Sequence, residues 1–275
     1  MTSRAFNLVL EAADKGLFPR ARKWGWRRLY NLMSRFWSDK DWRFMNYGYL
    51  PPAGSNPFPL DTEDEPERAF IGLYQQAVDG LDLVGKRVLE VGCGRGGGTA
   101  YIAKYHQPKA AIGIDYSNVT VKRAQDLNGE SDVLSFRWGD AEDLPFSDGS
   151  FDVVINIESS HCYANMSGFL SEVARVLKPG GVFSWADMRG SNMVEGTNQC
   201  FESCSGLELQ GETLLSSGVI RALDQMNDKK TTRIKQVPIL SKFFLEFAGT
   251  KGSSIYKWLK SGDVVYLSRR YSKIN

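Results

Sequence analysis

The chain has 275 residues and a formal net charge of +2, with 42% hydrophobic and 24% charged residues. This composition is that of an ordinary globular protein and excludes collagen, coiled coil and intrinsic disorder. No apolar run approaches the ~20 residues of a membrane-spanning helix, and the first residues lack the apolar core of a secretory signal. Four cysteines are too few for a disulfide framework, which predicts a reducing, cytoplasmic location.

The charge is unevenly distributed along the chain. Residues 1–50 contain ten Lys and Arg against four Asp and Glu, a net of +6, so the remaining residues sum to −4. Four of the seven Trp also lie in this segment, at positions 24, 26, 37 and 42. Such a segment suits either a solvated face with Trp packed inward or peripheral contact with an anionic lipid surface. The net acidic remainder disfavours nucleic acid as a partner.

Helices and a loop are predicted before residue 80. Apolar residues at helical spacing predict helices over 5–13 and 21–45. Four Pro and a Gly within 51–59 predict a loop. The acidic stretch that follows predicts a helix from about 61 to 79, because acids stabilise a helix N-terminus. Residues 1–60 are interpreted as a helical cap or lid in front of a domain over 61–275.

Strands and helices alternate from residue 86 onward, which predicts an α/β fold with a parallel sheet. Strands are predicted over 87–91, 110–115, 133–138, 151–156 and 182–186, and helices up to about 105, over 117–127 and over 167–177. After Asp187 the pattern weakens. It gives a sixth strand over 207–213, helices over 216–230, 238–248 and 253–261, and a last strand over 263–268. That last strand follows a short turn without a crossover, so it is predicted to be antiparallel.

A glycine-rich loop directly follows the first predicted strand and opens a helix. Gly92, Gly94 and Gly97 fit the G-x-G-x-x-G pattern of dinucleotide binding. By itself the loop is equally compatible with a nicotinamide or flavin cofactor, another nucleoside ligand, or a tight turn. Glu90 inside the strand disfavours a pyrophosphate and favours a cationic ligand. Asp115 at the end of the second strand suits ribose hydroxyls, and the acids after the third strand suit an adenine.

These segments resemble the class I S-adenosylmethionine-dependent methyltransferases. The resemblance rests on VLEVGCGRG at residues 88–96, GID at 113–115, GDAEDLPF at 139–146, FDVV at 151–154 and VLKPGG at 176–181. It implies a Rossmann-like sheet of seven strands with the last antiparallel, preceded by a helical cap. It also implies S-adenosylmethionine as methyl donor and S-adenosylhomocysteine as product.

The resemblance assigns site residues by position. Glu90, Gly92, Cys93 and Gly94 would hold the amino-acid end of the donor, and Asp115 with Tyr116 would lie at the ribose. Asp140, Ala141 and Glu142 would flank the adenine, and Asn156 and Ile157 would lie near the sulfonium. Tyr49 belongs to a segment, Asn46–Tyr49, that is similar to a lid over the cofactor. The alternatives are a solvated acid for Glu142 and ordinary aromatic packing for Tyr49.

His161 and Asp187 are the candidate catalytic residues. His161 follows the fourth strand, and ligands bind beyond the carboxyl ends of such strands. The resemblance assigns it as general base for an acceptor hydroxyl, and the ordinary pKa of imidazole, ~6.5, suits that role. The alternative is a His that only positions substrate. Asp187 ends the fifth strand and is predicted either to orient His161 or to be a structural acid, and Glu158 is a weaker alternative partner for His161.

The acceptor is predicted to be a small apolar molecule. ESSHCY at 158–163, ADMR at 186–189 and GTKGS at 249–253 are similar to bacterial O-methyltransferases of complex lipids and polyketides, among them phthiotriolone dimycocerosate methyltransferases. Insertions around 188–206 and 216–248 would bind the acceptor. The alternatives are methylation of carbon or nitrogen, or donor binding without catalysis. No metal site is predicted, since Cys200 and Cys204 lack a second ligand pair.

Overall fold

The structure, a computed structural model, describes residues 25, 28, 42–235 and 241–274. The helix predicted over 5–13 and most of the one over 21–45 lie outside these residues. The second is confirmed at residues 25 and 28, which are helical, but it is wrong at 42–45, because residues 42–50 form an irregular segment without helix. The backbone there bonds to other elements, as where Gly97 N–H donates to Arg43 O at 3.2 Å. We call residues 42–50 the strap.

The described residues form one seven-stranded sheet in the order β3-β2-β1-β4-β5-β7-β6. The strands are β1 Arg87–Val91, β2 Ala110–Asp115, β3 Leu134–Trp138, β4 Phe151–Ile157, β5 Leu177–Gly190, β6 Leu207–Leu214 and β7 Val264–Lys273. The first five run parallel to their neighbours, while β7 lies antiparallel between β5 and β6. The predicted α/β fold and its antiparallel last strand are therefore confirmed.

Eight helices surround the sheet within residues 42–235 and 241–274. They are α1 Arg68–Val78, α2 Gly97–Tyr105, α3 Asn118–Asn128, α4 Met166–Val176, α5 Val194–Glu202, α6 Ser216–Lys235, α7 Ser241–Phe247 and α8 Ser254–Ser261. Local capping fixes three of their starts. Ser117 accepts a hydrogen bond from Thr120 N–H at the start of α3, Asn165 accepts one from Gly168 N–H at α4, and Ser253 accepts one from Tyr256 N–H at α8.

The core lies on both faces of the sheet, because successive residues of a strand point to opposite sides. Val88 packs in one buried cluster with Leu73 of α1 and Ile102 of α2. Leu89 packs in a second cluster with Phe169 of α4. This two-sided burial explains why the central strands are continuous apolar runs rather than alternating ones. It also fixes the carboxyl ends of β1, β2 and β4 along one edge.

Several predicted boundaries are corrected by the structure. The first helix of the sheet domain begins at Arg68 rather than near 61, since a single 3-10 turn, Glu65–Glu67, with Pro66 precedes it. β5 and β7 are both longer than predicted, because they pair from Val182↔Ser272 to Gly190↔Val264. Asp187 therefore lies inside β5 rather than at its end. The polar stretch after β5 contains α5.

The helix predicted over 238–248 is described as α7, Ser241–Phe247, and residues 236–240 lie outside the described part. No helix in the described ranges is long and apolar enough to cross a membrane. The four cysteines all lie in those ranges and carry free thiols.

Candidate active site

The glycine-rich loop between β1 and α2 makes a tight turn over the end of β1. Gly92, Gly94 and Gly96 adopt positive φ angles of 77°, 53° and 78°, which side chains disfavour. The backbone N–H groups of Gly92 and Cys93 both donate to Ile114 O of β2 at 2.9 Å. The loop is thereby fixed to two strands, and α2 begins immediately after it.

A cavity opens beside this loop at the carboxyl edge of the sheet. It contains about 990 Å³ of empty space, part of it continuous with solvent. Of the residues predicted to bind the cofactor, those on its wall are Gly92, Cys93, Gly94, Asp115, Tyr116, Asp140, Ala141 and Ile157. The tips of β1, β2, β3 and β4 therefore meet here, as their parallel arrangement requires.

Two carboxylates lie at or behind the wall of the cavity, Asp115 partly buried and Glu90 buried. Asp115 lies on its wall and accepts hydrogen bonds from Gly94 N–H at 3.1 Å and Ser117 N–H at 2.9 Å. Burial raises the pKa of Asp115 to about 6, although both hydrogen bonds work to lower it. Glu90 lies behind the wall, where it accepts hydrogen bonds from Tyr74 Oη at 2.8 Å and Thr99 Oγ1. Burial raises the pKa of Glu90 to about 7.

Three other residues predicted to touch the cofactor are not on the cavity wall. The amide of Asn156 lies 2.9 Å from both Val91 O and Tyr163 Oη, so it braces the tip of β4. Glu142 accepts a hydrogen bond from Ala164 N–H at 2.9 Å, which ties the loop after β3 to the segment after β4. The ring of Tyr49 packs against Gly218 of α6. Its backbone N–H donates to Ala69 O at 2.8 Å.

His161 and Asp187 are brought together at the end of β4. His161 lies in a 3-10 turn, Ser160–Cys162, and its Nδ1 is 2.7 Å from Asp187 Oδ1. The backbone N–H of His161 also donates to Asp187 Oδ2 at 3.0 Å. Asp187 is fully buried, and Arg189 Nη1 lies 3.0 Å from it. One carboxylate thus holds His161 at two points, the imidazole Nδ1 and the backbone N–H.

The charges around this pair shift both pKa values. Burial alone would lower the pKa of His161, but the neighbouring Cys162 sulfur and the Asp187 carboxylate hold it well above its ordinary value. Burial alone would raise the pKa of Asp187, but His161 and Arg189 hold it far below its usual range. His161 is not on the wall of the cavity, whereas Cys162 beside it is.

Sequence reasoning missed several residues of the wall. Phe44 and Met45 of the strap line the cavity, as do Ser117 and Tyr163. Phe44 and Met45 were missed because apolar spacing predicts a helix up to residue 45, whereas Asn46, which also lines the cavity, belongs to the segment expected to form a lid. Tyr163 had a visible signal, since it follows β4 in the same short segment as His161. Its hydroxyl lies 2.9 Å from Ser159 Oγ.

One cluster of acids has the geometry of a metal site. Carboxylate oxygens of Asp61, Glu63 and Asp64 lie close together, yet Lys104 Nζ sits within 2.7–2.8 Å of all three residues. The ammonium group already supplies the positive charge that the cluster needs.

Comparison with known proteins gives three groups of findings. The model of a methyltransferase domain family matches residues 89–185. The phthiotriol/phenolphthiotriol dimycocerosates methyltransferase of Mycobacterium tuberculosis is 34% identical over 275 residues, covering 98% of each chain. A fatty-acid O-methyltransferase of Mycolicibacterium smegmatis is 34% identical over 252 residues, 88% of this chain and 89% of the relative.

Two solved structures illustrate the fold. The [4+2]-cyclase SpnF superposes with a TM-score of 0.71 at 21% identity, covering 90% of this chain and 94% of that one. A geranyl diphosphate C-methyltransferase from Streptomyces coelicolor A3(2) superposes with a TM-score of 0.63 at 16% identity, covering 89% and 98%. At these identities the likeness concerns the fold alone.

Proposed function

The chain belongs to the S-adenosylmethionine-dependent methyltransferase family that includes the phthiotriol/phenolphthiotriol dimycocerosates methyltransferases, and we propose that it methylates a hydroxyl group of a small apolar acceptor. The observation that carries this proposal is the His161–Asp187 pair beside the cavity. A transfer to oxygen needs a group that removes the hydroxyl proton, and imidazole is the usual one.

The cavity fits the donor by the chemistry of its groups. S-adenosylmethionine, when bound, supplies a positively charged sulfonium that carries the methyl group. Two carboxylates with raised pKa values, Glu90 and Asp115, match a cationic ligand, since a nearby cation favours their charged forms. We assign Asp115 to the ribose hydroxyls and Asp140 with Ala141 to the adenine, and Gly92 and Gly94 admit close approach of the ligand.

His161 would act through Nε2, because Asp187 engages Nδ1. In this role Asp187 fixes the tautomer and stabilises the imidazolium that forms when His161 takes the acceptor's proton. The in-line transfer itself needs no enzyme nucleophile, so the remaining contribution of the protein is to orient the two reactants. Cys162 lines the cavity, and we assign it no covalent role in the transfer.

An apolar acceptor is supported by the relatives. Their names give dimycocerosates and fatty acids as what those proteins act on. In this chain we assign acceptor binding to the insertions around 188–206 and 216–248, which hold α5 and α6. Peripheral membrane contact through the basic, Trp-rich residues 1–45 stays a prediction, because most of that segment lies outside the described residues.

The deciding experiment is a screen of acceptors with S-adenosylmethionine labelled in its methyl group. The panel should contain long-chain alcohols, hydroxylated polyketides and free fatty acids. Mass spectrometry of the product, with the position of the label, separates oxygen from carbon or nitrogen as the acceptor atom. Label found on carbon or nitrogen would contradict the proposal, as would donor binding with no transfer to any member of the panel.

Replacing Asp115 tests the donor site directly. We expect Asp115→Ala to raise the Kd for S-adenosylmethionine about tenfold to a hundredfold, the loss expected for hydrogen bonds to a charged group. Isothermal titration calorimetry measures this without an acceptor. Asp126→Asn is the control, because that carboxylate lies exposed on α3 beside Lys122. Equal affinities for Asp115→Ala and the wild type would remove the ribose assignment.

A further inference from the structure

Glu158 occupies an unusual position directly after β4. Its φ angle is 45°, a left-handed conformation that residues other than glycine rarely adopt. Its N–H donates to Ala186 O of β5 at 2.9 Å, which holds the backbone in place. The side chain lies on the wall of the donor cavity. Strained backbone of this kind persists where the surrounding structure imposes it, often at functional sites.

The carboxylate of Glu158 joins three parts of the chain. Its Oε1 accepts a hydrogen bond from Tyr47 N–H of the strap at 2.8 Å and another from Tyr266 Oη of β7 at 2.9 Å. His161 follows three residues later on the same segment. One oxygen therefore connects the strap, the antiparallel strand and the turn that carries His161.

The surroundings of Glu158 are enclosed and charged. Burial raises the pKa of Glu158 to about 7, while the two hydrogen bonds work to lower it. Lys230 of α6 faces the same region: it lies 5.9 Å from the centre of the Tyr47 ring, and burial lowers the pKa of Lys230 to about 8. The charge of Asp187 raises the pKa of Glu158, and that of His161 lowers it.

Hydrogen bonds join both ends of the strap to helices, and Glu158 joins its middle to the tip of β4. Gly97 N–H bonds to Arg43 O at one end, and Leu50 N–H bonds to Gly218 O at the other. Phe44, Met45 and Asn46, which line the donor cavity, lie directly before Tyr47. The middle of the strap is also held by Asn46 Nδ2, which donates to Phe70 O at 3.3 Å, and by Tyr47 Oη, which donates to Phe247 O at 3.1 Å. The bond at Tyr47 N–H adds the link to the tip of β4 and so helps to set where the wall residues of the strap lie.

We propose that Glu158 is a positioning residue, which holds the strap closed over the bound donor and in register with the His161 turn. This inference rests on the proposed function, since it assigns a role in binding S-adenosylmethionine. The side-chain oxygen Oε1 of Glu158 is essential to this role, because it accepts both hydrogen bonds. A side chain of the same length that also carries an oxygen should preserve the role.

The left-handed backbone provides a discriminating pair of variants. Glu158→Gly removes the carboxylate while the backbone conformation becomes easier to adopt, so folding is not penalised by strain. Glu158→Gln keeps an acceptor oxygen. We expect Glu158→Gly to weaken S-adenosylmethionine binding about tenfold, as loss of one such hydrogen bond does, and Glu158→Gln to bind within about twofold of the wild type.

Hydrogen exchange of the peptide covering residues 42–50 reports on the strap itself. We expect faster exchange at Tyr47 N–H in Glu158→Gly, and wild-type exchange in Glu158→Gln. Glu172→Gln is the matched control. The Glu172 carboxylate accepts a hydrogen bond from Leu144 N–H at 2.7 Å and does not contact the strap. Its replacement should therefore change neither donor affinity nor exchange at Tyr47 N–H. If Glu158→Gly does not fold, Glu158→Asn replaces it, because Asn tolerates the left-handed region but is too short to bridge.

Wild-type donor affinity and unchanged strap exchange in Glu158→Gly would overturn the proposal. A loss of affinity in Glu158→Gln equal to that in Glu158→Gly would also overturn it, because charge rather than the bridging oxygen would then be responsible. Failure of the wild-type protein to bind S-adenosylmethionine would instead refute the proposed function and the donor role together. Strap exchange in that case still decides whether Glu158 holds the segment.

Discussion

His161→Ala is expected to lower kcat by about a hundredfold to ten-thousandfold, the contribution typical of a general base. The Kd for S-adenosylmethionine should not change, because His161 is not on the wall of the donor cavity. Initial rates with a saturating acceptor and calorimetry with the donor alone measure the two quantities. His106→Ala is the matched control, since it changes the other histidine, which lies at the end of α2.

The pH profile of the same reaction carries a second signature of His161. A base acts unprotonated, so the rate should rise with pH through the pKa of His161, which lies well above 6.5 in the folded protein. Asp187→Asn removes the carboxylate that helps to raise this pKa. In Asp187→Asn we therefore expect the rise of the pH–rate profile to occur at lower pH, and the maximal rate to fall. A normal kcat in His161→Ala, or a rise that stays at the same pH in Asp187→Asn, contradicts the assignment.

Gly92→Ala is expected to abolish measurable donor binding at concentrations that saturate the wild type. A Cβ at this position would lie 2.4 Å from Ser159 Oγ and 2.9 Å from Tyr163 Oη, so both wall residues must move. The positive φ of 77° adds a backbone cost of ~1–2 kcal/mol for any side chain. Overpacking of this kind adds a further ~1–3 kcal/mol. Thermal unfolding and donor calorimetry measure the two effects.

Gly180→Ala separates the clash from the backbone cost. Gly180 has a φ of 72°, close to that of Gly92, but a Cβ there meets nothing within 4 Å. It should therefore lose only the backbone contribution to stability and keep donor affinity. Equal losses of stability in Gly92→Ala and Gly180→Ala, with normal donor binding by both, would contradict the prediction. The close contact of Gly92 with Ser159 and Tyr163 would then have no effect on donor binding.

The fold was largely predictable because its signals are local. Apolar runs such as Val88–Val91 identify buried parallel strands, and the glycines after β1 mark a turn into a helix. The order of the motifs also predicted which segments would meet at one edge of the sheet, and Asp115 and Asp140 both lie on the wall of the same cavity. The lengths of β5 and β7 were not predictable, because they depend on pairing between residues far apart in sequence.

The parts of the site that sequence reasoning missed depend on tertiary contacts. Nothing in the composition of residues 42–50 shows that their hydrogen bonds go to α1, α2 and α6 rather than into a helix. The position of Glu90 behind the wall depends on Tyr74, which comes from α1 and lies between that carboxylate and the cavity. Glu158 gives no local signal either, because its partners lie 111 and 108 residues away.

The placement of β7 also bears on how the molecule is assembled during synthesis. β7 follows every other strand in the sequence, yet it lies between β5 and β6 rather than at an edge. Until its residues are available, β5 has an open edge and β6 has no neighbour in the sheet. Pairings between segments this far apart form slowly, and exposed strand edges invite association with other chains. A chain whose synthesis stopped before residue 264 would therefore contain most of the segments proposed to bind the donor, but it would lack the strand that joins β6 to the rest of the sheet.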